Sequence, residues 1–244
     1  MIVKKPKTAE MNPGPGFRIR FNDSRPSREV IEGFREFVTP DISDMMNRLY
    51  TMVPEIKNQT SPELKICGPA CTVKVFPGDN LMVHKSLDIA KPGDILVVDA
   101  GASPMNAVLG DLVTTKARHR GIAGVFVDGL IRDIEGILET NIPVFARGTT
   151  PIGPLHRGPG EVNFPIQCGG IVVHPGDIIV GDMNGVVIVP QEEAESLLAR
   201  LRARKEGEAA YLAAVKRGEF SNDWVDRLLT EGGCITADPA AHVN

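Results

Sequence analysis

The stretch that decides the fold is Asp94 to Asp133, DILVVDAGASPMNAVLGDLVTTKARHRGIAGVFVDGLIRD. Its apolar opening predicts a strand over 94–99, followed by a glycine loop at 100–104, a helix from about Ala107 to Arg120 and a second strand from Ile122 to Val127. That is an α/β unit. A helix that runs back across the sheet puts its start on the same rim as the end of the next strand, so Asp111 and Arg132 can meet. Unpaired amides over Gly110, Asp111, Leu112 and Val113 could hold a carboxylate, Arg132 could clamp its oxygens in a fork, and Asp133 could offer a hard oxygen to Mg²⁺. Such parts suit a small 2-oxo acid and its enolate. The same residues also read as an acidic first turn (Asp111), a solvated loop pair (Arg132 and Asp133) and a turn (Asp128-Gly129), and spacing alone does not choose between the two readings.

Composition narrows the field. At 244 residues the chain can bury a continuous core without disulfides or metals, and with 9 Phe, 2 Tyr and one Trp that core must be mostly aliphatic. The net charge of −4 gives no general attraction to nucleic acid or acidic membranes, so neither is expected as a partner. The four cysteines contain one close pair, Cys67 and Cys71, and C-x3-C without neighbouring ligands reads as ordinary core or surface thiols rather than zinc. The opening residues MIVKKPKTAEMNPGPG lack a secretory apolar stretch, and no run of 18 apolar residues occurs; the expectation is a reduced, cytoplasmic protein.

Residues 1–35 read as an N-terminal arm or loop set, 36–230 as a single α/β domain and 231–244 as a C-terminal tail. Thr39-Pro40-Asp41 reads as an N-cap, a proline at the first helical position and an acidic first turn, opening a helix to about Tyr50 with Ile42, Met45, Met46 and Leu49 inward. A strand over 70–76 and a short helix from Asn80 to about Ile89 follow. Three Pro-Gly-Asp triplets, at 77–79, 92–94 and 175–177, predict tight turns at strand mouths. Apolar runs at 144–146, 162–166, 171–173, 178–180 and 185–189 predict a sheet-rich second half. A long helix from Pro190 to about Arg217 and a short one over 221–229 close the chain.

The D-x20-R-D pattern of Asp111, Arg132 and Asp133, with VFARG at 144–148 and GDMNGVVIVP at 181–190, resembles the class II 4-hydroxy-4-methyl-2-oxoglutarate/4-carboxy-4-hydroxy-2-oxoadipate aldolases and the related ribonuclease E activity regulator A proteins. The resemblance covers roughly residues 35–230. It implies a swivelling β/β/α fold, a homo-oligomer (a trimer or a hexamer of two trimers) and active sites in clefts between subunits. It also implies that Asp133 holds Mg²⁺, Mn²⁺ or another divalent metal, with waters filling most of the shell. Arg132 and the amides of Asp111 to Val113 would hold a pyruvyl carboxylate, and Asp111 would order a water on the metal. An acidic residue from a neighbour's C-terminal helix matches Glu208 here, with Glu206 as the alternative register. The implied activity is metal-dependent retro-aldol cleavage of a 4-hydroxy-2-oxo acid to pyruvate and a second 2-oxo acid, with oxaloacetate decarboxylation through the same enolate. The Asp111 water or Glu208 is the implied base.

Other polar residues read more plainly. Lys116, beside Arg118, His119 and Arg120, reads as a charged helix face rather than an imine-forming lysine. His119, His156 and His174 lack a compact ligand spacing, although His156 and Arg147 could line the distal end of an acidic substrate. Ser103, Thr149 and Thr150 read as loop hydrogen bonders. Neither G-x-G-x-x-G nor G-x4-G-K occurs, and no glycine-rich loop suits S-adenosylmethionine. The competing class is a non-enzymatic protein-binding module of the ribonuclease-regulator kind.

Overall fold

A computed structural model describes residues 10–21 and 24–235. The chain divides into two compact units, Met1–Leu201 and Arg202–Asn244. In chain order the elements are β1 (Phe17–Ile19), α1 (Arg28–Phe34), α2 (Thr39–Met45), β2 (Lys57–Asn58), β3 (Ile66–Val75), α3 (Leu81–Ser86), β4 (Ile95–Asp99), β5 (Ala107–Leu109), α4 (Asp111–His119), β6 (Gly124–Ile131), α5 (Ile134–Thr140) and β7 (Val144–Thr149). They continue with β8 (Gly160–Val162), β9 (Ile166–Cys168), β10 (Ile171–Val173), β11 (Ile178–Asp182), β12 (Gly185–Val189), α6 (Ala194–Lys216) and α7 (Asp223–Glu231). Among the described residues no helix is long and apolar enough to cross a membrane.

The first unit is a mixed α/β fold with a sheet-rich core in the swivelling arrangement. Its main sheet has the order β1-β8-β3-β4-β6-β7-β2, with β3, β4, β6 and β7 mutually parallel. The ten-residue β3 serves two sets of partners. Its second half, from Ala70, pairs with β4, and its first half pairs antiparallel with β11, which carries β12. Alternation along the strands explains why both faces are apolar. Val73, Val98, Val127 and Ala146 face a core closed by α3, α4 and α5, whereas Ala70, Val97, Phe126 and Phe145 face a second core shared with β9 and β10. A third core packs α1, α2 and the first turns of α6 against β11 and β12.

At the carboxyl ends of the strands the second face turns polar. Register neighbours Arg18, Glu161, Lys74, Asp99 and Asp128 form a row across β1, β8, β3, β4 and β6, and Arg147 Nε closes on Asp128 Oδ1 at 2.5 Å. Asp128 is buried, so this pairing offsets the cost of dehydrating its charge.

Four sequence expectations change. Ala107–Leu109 is a strand, not the start of a helix: three buried apolar residues carry no period, and pairing with the end of β6 decides their state. α2 stops at Met45 because Asn47 and Arg48 take positive φ (56° and 65°), leaving Leu49 exposed. Thr39 is not its N-cap. That position is Val38, and Thr39 donates its N–H and hydroxyl to Asp182 instead. Within 10–35, where the sequence suggested an arm, the structure has β1 paired to β8 and α1 with a buried Phe34. Residues 1–9, 22–23 and 236–244 of the expected arm and tail lie outside the described residues.

The Pro-Gly-Asp triplets are tight turns, with Gly78, Gly93 and Gly176 at φ of 80°, 91° and 96°. Asp94 and Asp177 each accept the amide three residues back, from Lys91 and His174. Asp79 differs, reaching forward to Leu81 N and across to Arg157 N.

Candidate active site

The site grows out of the pairing of β5 with β6. Leu109 lies opposite Ile131, and Arg132 N donates to Leu109 O at 3.1 Å, so the two chains leave the sheet side by side. One enters α4 through Gly110, its N-cap, and the other enters α5 through Asp133. Asp133 sits at φ 58°, a region that Asp and Asn tolerate better than most residues. The turns line an open cavity of about 150 Å³. Gly110, Asp111, Leu112, Val113, Arg132 and Asp133 all line it, so the structure brings together every expected site residue of the first unit. The remaining wall is Asn80, His84 and Leu109 with Pro154 and His156.

Arg132 Nε lies 3.1 Å from Asp133 Oδ2, with both side chains about two-fifths exposed at the cavity. Glycines make room for this pair. A Cβ on Gly110 would collide with the Asp133 carboxylate and crowd Arg132 Cγ, and one on Gly153 would collide with the Arg132 guanidinium. A Cβ on Gly136 would strike the Asp111 side chain. The amides at the start of α4 are not all open. Leu112 N donates to Asp111 Oδ1 at 2.6 Å and Val113 N to Gly110 O at 3.2 Å, so a carboxylate bound there must displace Asp111 from Leu112.

His156 Nδ1 lies 2.6 Å from Asn80 Oδ1, and the His84 ring stands edge-on to His156 with centroids 5.7 Å apart. Burial, then the Lys116 and His156 charges, hold the His84 imidazole below its ordinary pKa. Sequence reasoning missed Asn80, His84, Gly136 and Gly153. The i, i+4 spacing of Asn80 and His84 was the one signal for the first two. Arg147 does not line the cavity and is spent on Asp128, while His119, His174 and Lys116 also lie off it. Glu208 belongs to the second unit, where it is exposed and accepts from Arg204 Nε at 2.8 Å.

Among the described residues no group of three or more His, Cys, Asp or Glu could hold a metal ion. Asp111 and Asp133 offer only carboxylate oxygens. That set does not suit zinc, which wants three or four nitrogen or sulfur ligands, but it suits a hydrated hard cation such as Mg²⁺, which keeps several waters on one or two carboxylates.

Comparison with known proteins decides the family. Residues 39–188 match the family model described as RraA-like, aldolase/RraA. The chain belongs to the RraA-like family. A Halalkalibacterium halodurans protein named "Putative 4-hydroxy-4-methyl-2-oxoglutarate aldolase" is 40% identical over 187 residues, covering 77% of this chain and 89% of that one. An uncharacterized Pseudomonas syringae protein of known structure superposes with a TM-score of 0.72 at 28% identity, over 81% of this chain and 96% of the other. RraAS2 of Streptomyces coelicolor, described as an unusual member of the RNase ES inhibitor RraA family, gives 0.69 at 26% identity, over 77% and 98%. This RraA-like chain thus stands in a family that holds both aldolases and ribonuclease regulators.

Proposed function

We propose that this chain is a divalent-metal-dependent aldolase that cleaves a 4-hydroxy-2-oxo (di)carboxylic acid to pyruvate and a second 2-oxo acid, with oxaloacetate decarboxylation as a side activity. The observation behind this reading is the convergence of Asp111, Arg132 and Asp133 on one small cavity, since a regulator needs no Arg-Asp pair gathered at a cavity.

Arg132 grips the pyruvyl carboxylate with its fork and holds the 2-oxo group in register, and its charge faces the enolate oxygen as negative charge collects there. Asp133 is the residue to hold the cation, with Asp111 ordering water beside it. When bound, a divalent cation polarises the 2-oxo group as a Lewis acid, in place of a lysine imine. Leu109 and Val113 are buried and give the cavity an apolar wall. Glu208, or Glu206 in the alternative register, reaches the cleft from a neighbouring subunit of a trimer or hexamer and supplies a further carboxylate for proton handling.

The test is pyruvate release from a panel of 4-hydroxy-2-oxo diacids with Mg²⁺, with and without chelator. Chelator-sensitive release supports the reading. Failure with every substrate overturns it and favours the ribonuclease-regulator alternative, to which the likeness to RraAS2 points, whereas chelator-insensitive cleavage overturns the metal dependence.

A further inference from the structure

The wall of the cavity formed by Asn80 and His156 has no role in the mechanism above, yet the two loops that carry it are tied together. Residues 155–157 are fastened to 78–80 by three hydrogen bonds, and a fourth braces the 78–81 turn itself. Leu155 N donates to Gly78 O at 2.7 Å, Asn80 N to Leu155 O at 2.9 Å, Arg157 N to Asp79 Oδ2 at 2.6 Å, and Leu81 N to the other oxygen of the same Asp79 at 2.8 Å. Asp79 and Asn80 are both buried. His156 is thus an exposed side chain on an immobilised backbone, at the edge of the cavity that holds Arg132 and Asp133.

The ring itself is oriented. With Asn80 Oδ1 as acceptor at 2.6 Å, His156 Nδ1 carries the hydrogen, and Nε2 of the neutral ring keeps a lone pair. A buried amide fixing one ring nitrogen so that the other serves as a base is the second half of a nucleophile–base–orienter arrangement without the nucleophile. We propose that His156 is the general base of this site, its Nε2 accepting the 4-hydroxyl proton of the bound 4-hydroxy-2-oxo acid. This rests on the aldolase reading and deepens it.

Retro-aldol cleavage needs two proton transfers. In the first, the 4-O–H bond breaks, its proton goes to Nε2, the oxygen's electron pair forms the new C4=O bond, and the C3–C4 pair moves into the enolate of pyruvate. In the second, C3 of that enolate takes a proton and pyruvate leaves. His156 serves the first, which leaves the carboxylates of Asp111 and Glu208 for water and for the second. His84, half-buried at 5.7 Å and held towards its neutral form by burial and by Lys116, does not oppose the charge that His156 gains.

Oxaloacetate decarboxylation separates the two transfers, because it makes the same enolate by losing CO₂ and removes no hydroxyl proton. The experiment compares wild type with His156→Gln and Asn80→Ala in three assays at saturating Mg²⁺. These are cleavage of a 4-hydroxy-2-oxo diacid, oxaloacetate decarboxylation, and exchange of pyruvate methyl hydrogens with deuterated water. For His156→Gln the expected result is a fall in cleavage kcat of about 100-fold or more, the usual worth of a positioned base, with decarboxylation and exchange within about threefold of wild type. Asn80→Ala should lower cleavage less, and again leave the other two. Unchanged cleavage in His156→Gln overturns the proposal, and so does an equal fall in all three activities, which marks a structural role. A wild-type protein inactive in all three assays is the distinct result that removes the aldolase reading itself.

Discussion

Arg132 and Asp133 are chain neighbours whose side chains meet, Nε to Oδ2 at 3.1 Å, instead of pointing to opposite sides as neighbours in a strand do. The cause is the left-handed φ of 58° at Asp133, which turns its carboxylate back beside the guanidinium as the chain enters α5. One residue therefore has two separable jobs, a backbone turn and a charge.

Asp133→Asn tests the separation. Asn tolerates the left-handed region and keeps the turn, so its melting temperature without metal should stay within about 2 °C of wild type, a surface-like effect of under roughly 0.5 kcal/mol. Stabilisation by added Mg²⁺, read as the rise in melting temperature with metal, should be lost. A variant that still gains stability from Mg²⁺ places the cation elsewhere.

Arg132→Lys keeps the charge and loses the fork. The expected fall in kcat/KM is about 100-fold, the scale of a reacting group misplaced by an ångström. If Glu208 enters a neighbour's cleft, Glu208→Gln is also impaired, and mixed oligomers of the two inactive variants regain activity in the sites that receive a wild-type copy of each residue. Additive inactivity after subunit exchange removes Glu208 from the shared site.

Much of this geometry was legible beforehand. The apolar run at 95–98, the acidic first turn at Asp111 and the Arg-Asp pair are local signals, and each occurs where pattern reasoning put it. What escaped was non-local. Ala107–Leu109 is a strand only because β6 lies beside it, and Gly110, Gly136 and Gly153 are dictated by the side chains of Arg132, Asp133 and Asp111, 21 to 25 positions away. Arg147 looked available for substrate because nothing nearby in sequence pairs with it, yet Asp128 on the adjacent strand does.

Asp182 makes stability depend on pH. Burial pushes its carboxyl up, but hydrogen bonds from Thr39 N and Oγ and from Asn184 N and Nδ2 together outweigh burial and hold it below its ordinary value. A depressed carboxyl contributes stability that is present above the unfolded-state value near 4 and is lost as pH falls through the folded-state value. Asp182→Asn sets an amide donor against these donors and should cost about 1–3 kcal/mol at pH 7. The difference in urea midpoint between wild type and variant should shrink near pH 3; a gap that is constant with pH contradicts the assignment.

The thiols give a simple burial test. Burial pushes Cys67 up to about 11 and Cys71 up to about 12, and raises Cys168 well above the ordinary thiol range, whereas Cys234 is exposed. Native protein at pH 8 should expose one fast-reacting thiol to an aromatic disulfide reagent and all four once unfolded. Two or more fast thiols in the native protein would mean that the core around β3 or β9 opens.

The residues ahead of the family match also set a boundary for anyone preparing fragments. β1 is the outermost strand of the main sheet, Gly16 N and Arg18 Nε both bond Glu161 on β8, and Arg25 forks onto Asp94. Trimming the chain to 39–188 strips the cover from β8, empties the socket of Phe34 and leaves Asp94 buried without its cation. The resulting bare edge is a template for intermolecular strand pairing, so the shortest sequence that is recognisable as a relative is longer in its folding requirement than in its signature, and the shortened piece is the one to expect in inclusion bodies.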